Sequence, residues 1–263
     1  MNFLLPFLAL GALGALGVAS MIPTLGPTFA LLRRQPALAE RSDAALTLLV
    51  VAQPLVLVLV GAAIGAALAH RVGLSSLVAS LVRGEAMPPV SARSLGVAVA
   101  AGLAAGALIV GIDVAYKLAT VPGFREALAR ASGSSVPLAH KVTALLYGGV
   151  AEEVMMRWGL MTLLVAIGAW LAGPRFADTP GLVIWPAIVL SALLFGAGHL
   201  PKAAATAPLD AAIALRVVGL NAIAGIAYGW LYARHGLEHA MLAHMATHVA
   251  FWTATPLAIR ILA

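Results

Sequence analysis

The chain has 263 residues, 62% of them hydrophobic and only 10% charged, with a mean hydropathy of +1.01. Soluble domains carry roughly 25% charged residues, so this composition excludes a soluble protein, and the absence of cysteine excludes disulfides and thiolate chemistry. The net charge of +6 is scattered singly or in pairs through the loops, as topology determinants are, and forms no basic stripe for nucleic acid.

Lipid leaves only helices or closed barrels as spanning structures, and the strand-like alternation of a barrel is absent. The expected fold class is therefore all-α, a polytopic transmembrane helical bundle of about seven to eight spans. Residues 3–20 form the first apolar run; no basic residue precedes it and Val18-Ala19-Ser20 is a poor cleavage site, so it reads as an uncleaved span. Pro23, Gly26 and Pro27 break that helix, and Arg33, Arg34 and Arg41 mark an aqueous loop. The second span covers about 45–69, where Gly61 and Gly65 lie one turn apart for close helix contact. A loop at 70–93 holds Arg71, Arg83, Arg93 and the turn pair Pro88-Pro89. The third span, about 94–116, repeats the small-residue device at Gly102 and Gly106 and ends with Asp113 and Lys117, an i,i+4 pair of favourable polarity. Phe124 to Ala131 reads as a short amphipathic helix on the membrane surface, and Ser132-Gly-Ser-Ser-Val-Pro137 as a flexible joint.

The joint divides one continuous membrane domain into residues 1–137, a set of framing helices, and residues 138–263, the working core. Four runs follow it, at about 140–171, 181–199, 209–233 and 237–262. The first is long for one span and is expected to tilt or to break near Gly148-Gly149.

The chemistry gathers in these four runs. Glu152, Glu153 and Arg157 sit inside an apolar run, where an ionisable group costs roughly 2.5–3.5 kcal/mol on insertion scales and seldom persists without a role. On a helix Glu153 and Arg157 share a face, with the acid N-terminal to the base, while Glu152 is rotated by about 100°. One carboxylate has a charge partner within its helix and the other has none, an arrangement that suits a general base, Glu152, beside a structural acid, Glu153. An ion-pair cluster that glues helices together is the alternative for this stretch. Phe195-Gly-Ala-Gly-His199 ends the next run just before Pro201, near a helix terminus and an aqueous edge. His244 and His248 in the last run face the same way, about 6 Å apart along the axis, spacing for a shared metal or a shared oxyanion. Met245 stands where a His-Glu-x-x-His zinc motif needs its glutamate, so that motif fails. His70, His140, His235 and His239 read as interfacial residues.

In this order on successive spans, Glu152-Glu153-x-x-x-Arg157, Phe195-x-x-x-His199 and His244-x-x-x-His248 resemble the CAAX protease and bacteriocin-processing family. These are intramembrane endopeptidases typified by the Ras-converting CAAX endopeptidase. The approach Gly225-Ile-Ala-Tyr-Gly-Trp-Leu-Tyr-Ala-Arg-His-Gly is also similar, and the likeness covers roughly 145–252. The family more often has asparagine or another small polar residue where His248 stands. The resemblance implies peptide hydrolysis in the membrane, with Glu152 as general base assisted by His199 and with His244 and His248 stabilising the oxyanion. Glu153 and Arg157 would hold the polar network, with Phe195 in support. No cofactor is expected; the alternative is zinc, held by Glu152, His199, His244 and His248. The implied partners are the lipid bilayer and a membrane-associated protein or peptide, lipid-modified in the type enzymes. Alanine, leucine and arginine usage suggests a bacterial inner membrane. Two other readings stand beside the protease: a non-catalytic membrane scaffold or immunity factor of the same fold, and a proton-coupled transporter, against which the lack of an internal repeat counts.

Overall fold

The computed structural model describes residues 3–130, 135–205 and 208–262, and these form helices and turns with no strand among them. Part of the expected joint, Ser132-Gly133-Ser134, lies outside the described residues. The helices that build the site are α1 (Leu4–Ala19), α2 (Asp43–Leu68), α3 (Leu77–Arg83), α4 (Ala92–Thr120), α5 (Leu138–Ala172), α6 (Gly181–Ala197), α7 (Ala211–His235) and α8 (Leu237–Leu262). Among the described residues six helical segments are long and apolar enough to cross a membrane: those of α1, α2, α4, α5, α6 and α7. The seventh expected run, α8, is a helix of 26 residues, but it carries the histidines and threonines of the site and falls outside that set.

Burial runs opposite to that of a soluble domain. Leu48, Leu108, Trp170 and Leu182 point outward, while Ala62, Ala98, Ala192 and Ala243 are buried between helices. Lipid is as apolar as leucine, so outward leucines cost nothing, and helices associate where small side chains let backbones approach. Both anticipated glycine pairs do this. A Cβ on Gly61 of α2 would stand 2.8 Å from the Val154 carbonyl of α5, and one on Gly106 of α4 would stand 2.6 Å from the Ala250 Cβ of α8.

The helix starts are capped as the sequence allows. Ser42 accepts from the Ala45 amide at the head of α2, Asp210 from Ile213 at the head of α7, and Ser91 and Ser94 form a reciprocal box at the head of α4. A single residue, Gly236, joins α7 to α8, and its φ of 100° is one that L side chains rarely adopt. The start of α8 is then clamped by the segment before α3. Leu237 N–H donates to the Ser75 carbonyl at 3.0 Å, and the Glu238 carboxylate accepts from Ser76 Oγ and from the Leu77 and Val78 amides at 2.6–3.0 Å.

At the centre stands α5, packed against α1, α2, α6, α7 and α8. Of the two expected alternatives for its length, a tilt or a break near Gly148-Gly149, the break does not occur. The helix continues through two π-wound stretches, Ala144–Glu152 and Val154–Met161, before regaining α geometry at Thr162. Such i→i+5 winding is rare and concentrates at functional sites. Asp113 pairs with Lys117 as anticipated, at 2.7 Å, and also reaches across to Arg216 of α7.

Candidate active site

The polar residues singled out in the sequence converge on the π-wound part of α5. Glu153 and Arg157 are both fully buried and paired at 3.2 Å, the shared face that their spacing requires. The same Glu153 oxygen, Oε1, accepts from His244 Nδ1 of α8 at 2.8 Å. Arg157 donates its second terminal nitrogen to the Gly225 carbonyl of α7 at 2.9 Å. Its guanidinium lies 5.0 Å from the Phe195 ring and 5.2 Å from the Tyr228 ring, so two aromatic rings add to the stabilisation of the buried cation. Four helices are tied through this one buried pair.

Glu152 points elsewhere. It lines a cavity of about 240 Å³ bounded by α2, α5 and the end of α6, and His199 lines the same cavity. Tyr147 and Gln53 are the other polar side chains on its wall, which is otherwise formed by Pro54, Leu57, Met155, Met156, Leu194, Phe195 and Gly198. His199 Nδ1 lies 2.9 Å from the Phe195 carbonyl. A carbonyl only accepts, so Nδ1 carries the hydrogen, and the neutral ring keeps its lone pair on Nε2. Phe195 also meets the edges of both His199 and His244, with centroids 4.8 and 5.9 Å away.

His244 stands between the two carboxylates. With Nδ1 on Glu153, its Nε2 faces Glu152 Oε2 at 3.8 Å. Tyr228 and His248 both stack on His244, with ring centroids 4.6 and 5.1 Å away. The Tyr228 hydroxyl is anchored by Thr247 at 2.6 Å. His248 Nε2 is buried without a hydrogen-bond partner. It aims at Gly148: the position of an added Cβ there would lie 2.5 Å from His248 Nε2 and 3.4 Å from His244 Nε2. Two ring nitrogens thus converge on a notch that exists because residue 148 has no side chain.

Residues 134–250 match the family described as type II CAAX prenyl endopeptidase Rce1-like. This part of the chain is similar to the Rce1-like family. The match contains Glu152, Glu153, Arg157, Phe195, His199, His244 and His248, and begins some residues before the similarity that the motifs alone delimit. No curated protein and no solved structure matches the chain. The matched segment does not contain the whole cavity wall, because Gln53, Pro54 and Leu57 come from α2.

Sequence reasoning assigned no role to Tyr228, Gly225, Gly148, Tyr147 or Gln53. The tyrosine and Gly225 lie inside the quoted approach to the third motif, which was the available signal for them. Conversely, His239 was expected at the interface and is fully buried, with Nε2 3.0 Å from Ser94 Oγ, because α8 packs along α4. Among the described residues no group of three or more His, Asp or Glu side chains stands together as a metal-holding set, including the set Glu152, His199, His244 and His248.

Proposed function

We propose that the protein is an intramembrane endopeptidase in which Glu152 activates water. The observation that carries the reading is the division of labour between adjacent carboxylates: Glu153 is locked by Arg157 and His244, while Glu152 faces a cavity together with His199. The match of residues 134–250 to the Rce1-like family supports peptide hydrolysis as the reaction.

Water in the cavity hydrogen-bonds to the His199 Nε2 lone pair and gives a proton to Glu152, and its oxygen attacks the scissile carbonyl carbon. The carbonyl oxygen becomes an oxyanion, held in the notch above Gly148 by N–H groups of His244 and His248. Because His244 Nδ1–H is committed to Glu153, its Nε2 donates only when the ring carries both protons; Glu153 is already paired with Arg157, so the charge that balances the imidazolium is the oxyanion itself. Glu152 then passes its proton to the leaving nitrogen as the C–N bond breaks. A positioned base contributes about 10²–10⁴ in rate, and one oxyanion donor about 10²–10³. The substrate is a membrane-associated protein or peptide, and the setting is a bacterial inner membrane.

The test compares protein termini in cells carrying the wild type or Glu152→Gln at equal abundance. New termini confined to the wild type are the expected result. Matching terminal profiles, with Glu152→Gln rescuing a deletion phenotype, would replace the protease with a scaffold. Metal-free water activation is part of the proposal, and stoichiometric zinc that is lost in His244→Ala would overturn that part.

A further inference from the structure

The cavity wall contributed by α2 holds a group that neither the family match nor the three motifs include. Gln53 is the one amide, acidic or basic side chain between Ala44 and Leu68, near the middle of an otherwise apolar helix. A lone glutamine at such depth usually glues helices by a hydrogen bond across their interface. Gln53 does not: among the described residues it makes no hydrogen bond, its side chain is exposed, and it lines the cavity shared by Glu152 and His199. Pro54, the next residue, also lines the cavity and lies inside the helix.

One wall of the cavity therefore presents an amide with donors and an acceptor. The catalytic groups lie across from it on α5 and at the end of α6. A carboxamide is the side-chain copy of a peptide unit, and it pairs with one by giving an N–H to its C=O and accepting its N–H. We propose that Gln53 binds the backbone of the substrate in extended form and sets the scissile bond over Glu152. Recognition there reads peptide units and not side chains, so it is indifferent to substrate sequence at that position. The inference rests on the protease reading of the same cavity.

The test uses a synthetic peptide spanning a bond identified by the comparison of termini, with purified protein in nanodiscs. Gln53→Leu suits an apolar span and is expected to fold with an unchanged Tm. Losing one or two net hydrogen bonds should raise KM about fivefold to thirtyfold with kcat little changed, and Gln53→Asn should recover part of the loss. A matching peptide with one backbone amide replaced by an ester, next to the scissile bond, should bind the wild type less well. The same ester should make no difference to Gln53→Leu. An unchanged KM in Gln53→Leu, or equal ester penalties in both proteins, overturns the inference and leaves the protease reading intact. A fall in kcat and Tm with KM unchanged makes Gln53 structural and also overturns it. If the wild type cleaves no peptide, both readings fall.

Discussion

Replacing Arg157 by methionine keeps the apolar stem and removes the charge. Glu153 would then be an anion with no exposure and no cationic side chain on its own helix, and the Gly225 carbonyl would lose its donor. Breaking a buried pair from one side costs about 3–5 kcal/mol, because the remaining charge is left uncompensated. At roughly 2–4 °C per kcal/mol for a chain of this size, Tm should fall by about 6–20 °C. Adding Glu153→Gln removes the stranded charge while leaving an acceptor for His244 Nδ1. The double variant should thus regain roughly half of the loss, since replacing both partners of a buried pair is often close to neutral. The assay is thermal unfolding in one detergent for the wild type, Arg157→Met, Glu153→Gln and the double variant, read as a double-mutant cycle. A drop of less than about 3 °C in Arg157→Met, or a double variant no more stable than the single one, would refute the claim that this pair ties four helices together.

Two further predictions follow from the glycines. Gly148→Ala puts a methyl group 2.5 Å from His248 Nε2, so the ring must move out of the notch. Turnover should fall by about 10²–10³, the usual effect of losing an oxyanion donor, while thermal unfolding shows most of the stability retained. In α4, Gly106→Ala should destabilise by about 1–3 kcal/mol through contact with Ala250 and the Thr247 carbonyl. Gly96→Ala and Gly111→Ala on the same helix meet nothing within 4 Å and should be neutral or slightly stabilising. Equal effects at all three positions, measured by unfolding in detergent, would show that close approach of α4 to α8 is not what requires Gly106.

Much of this architecture is legible in the chain because it depends on local spacing. Asp113 with Lys117 and Glu153 with Arg157 are i,i+4 pairs, and the helix that carries them decides that they meet. The Gly61-Gly65 and Gly102-Gly106 pairs likewise mark helix faces before any partner helix is known. What was not legible depends on which helix comes alongside. Gly148-Gly149 reads only as the point where a long run breaks if it does not tilt, whereas the missing side chain of Gly148 makes room for nitrogens on a helix about a hundred residues later. His239 carries no local sign of Ser94, and Tyr228 carries none of the ring it stacks on. The winding of α5 also escapes a reading based on period, because π stretches keep the apolar run unbroken while changing the angle between successive residues.

The clamp between Glu238 and the segment Ser76–Val78 has a consequence for engineering. The residues that identify the family begin at 134, yet the helix bearing His244 and His248 is pinned at its first turn by a loop some 160 positions upstream. The same helix lies along α4, and α5 lies against α1 and α2. The recognisable segment is thus not a transplantable module. Excised from its upstream helices, it would keep every residue of the motifs and lose the supports that fix their bearings. A minimal version of this site has to be built from both halves, whether as one chain or as two co-produced fragments.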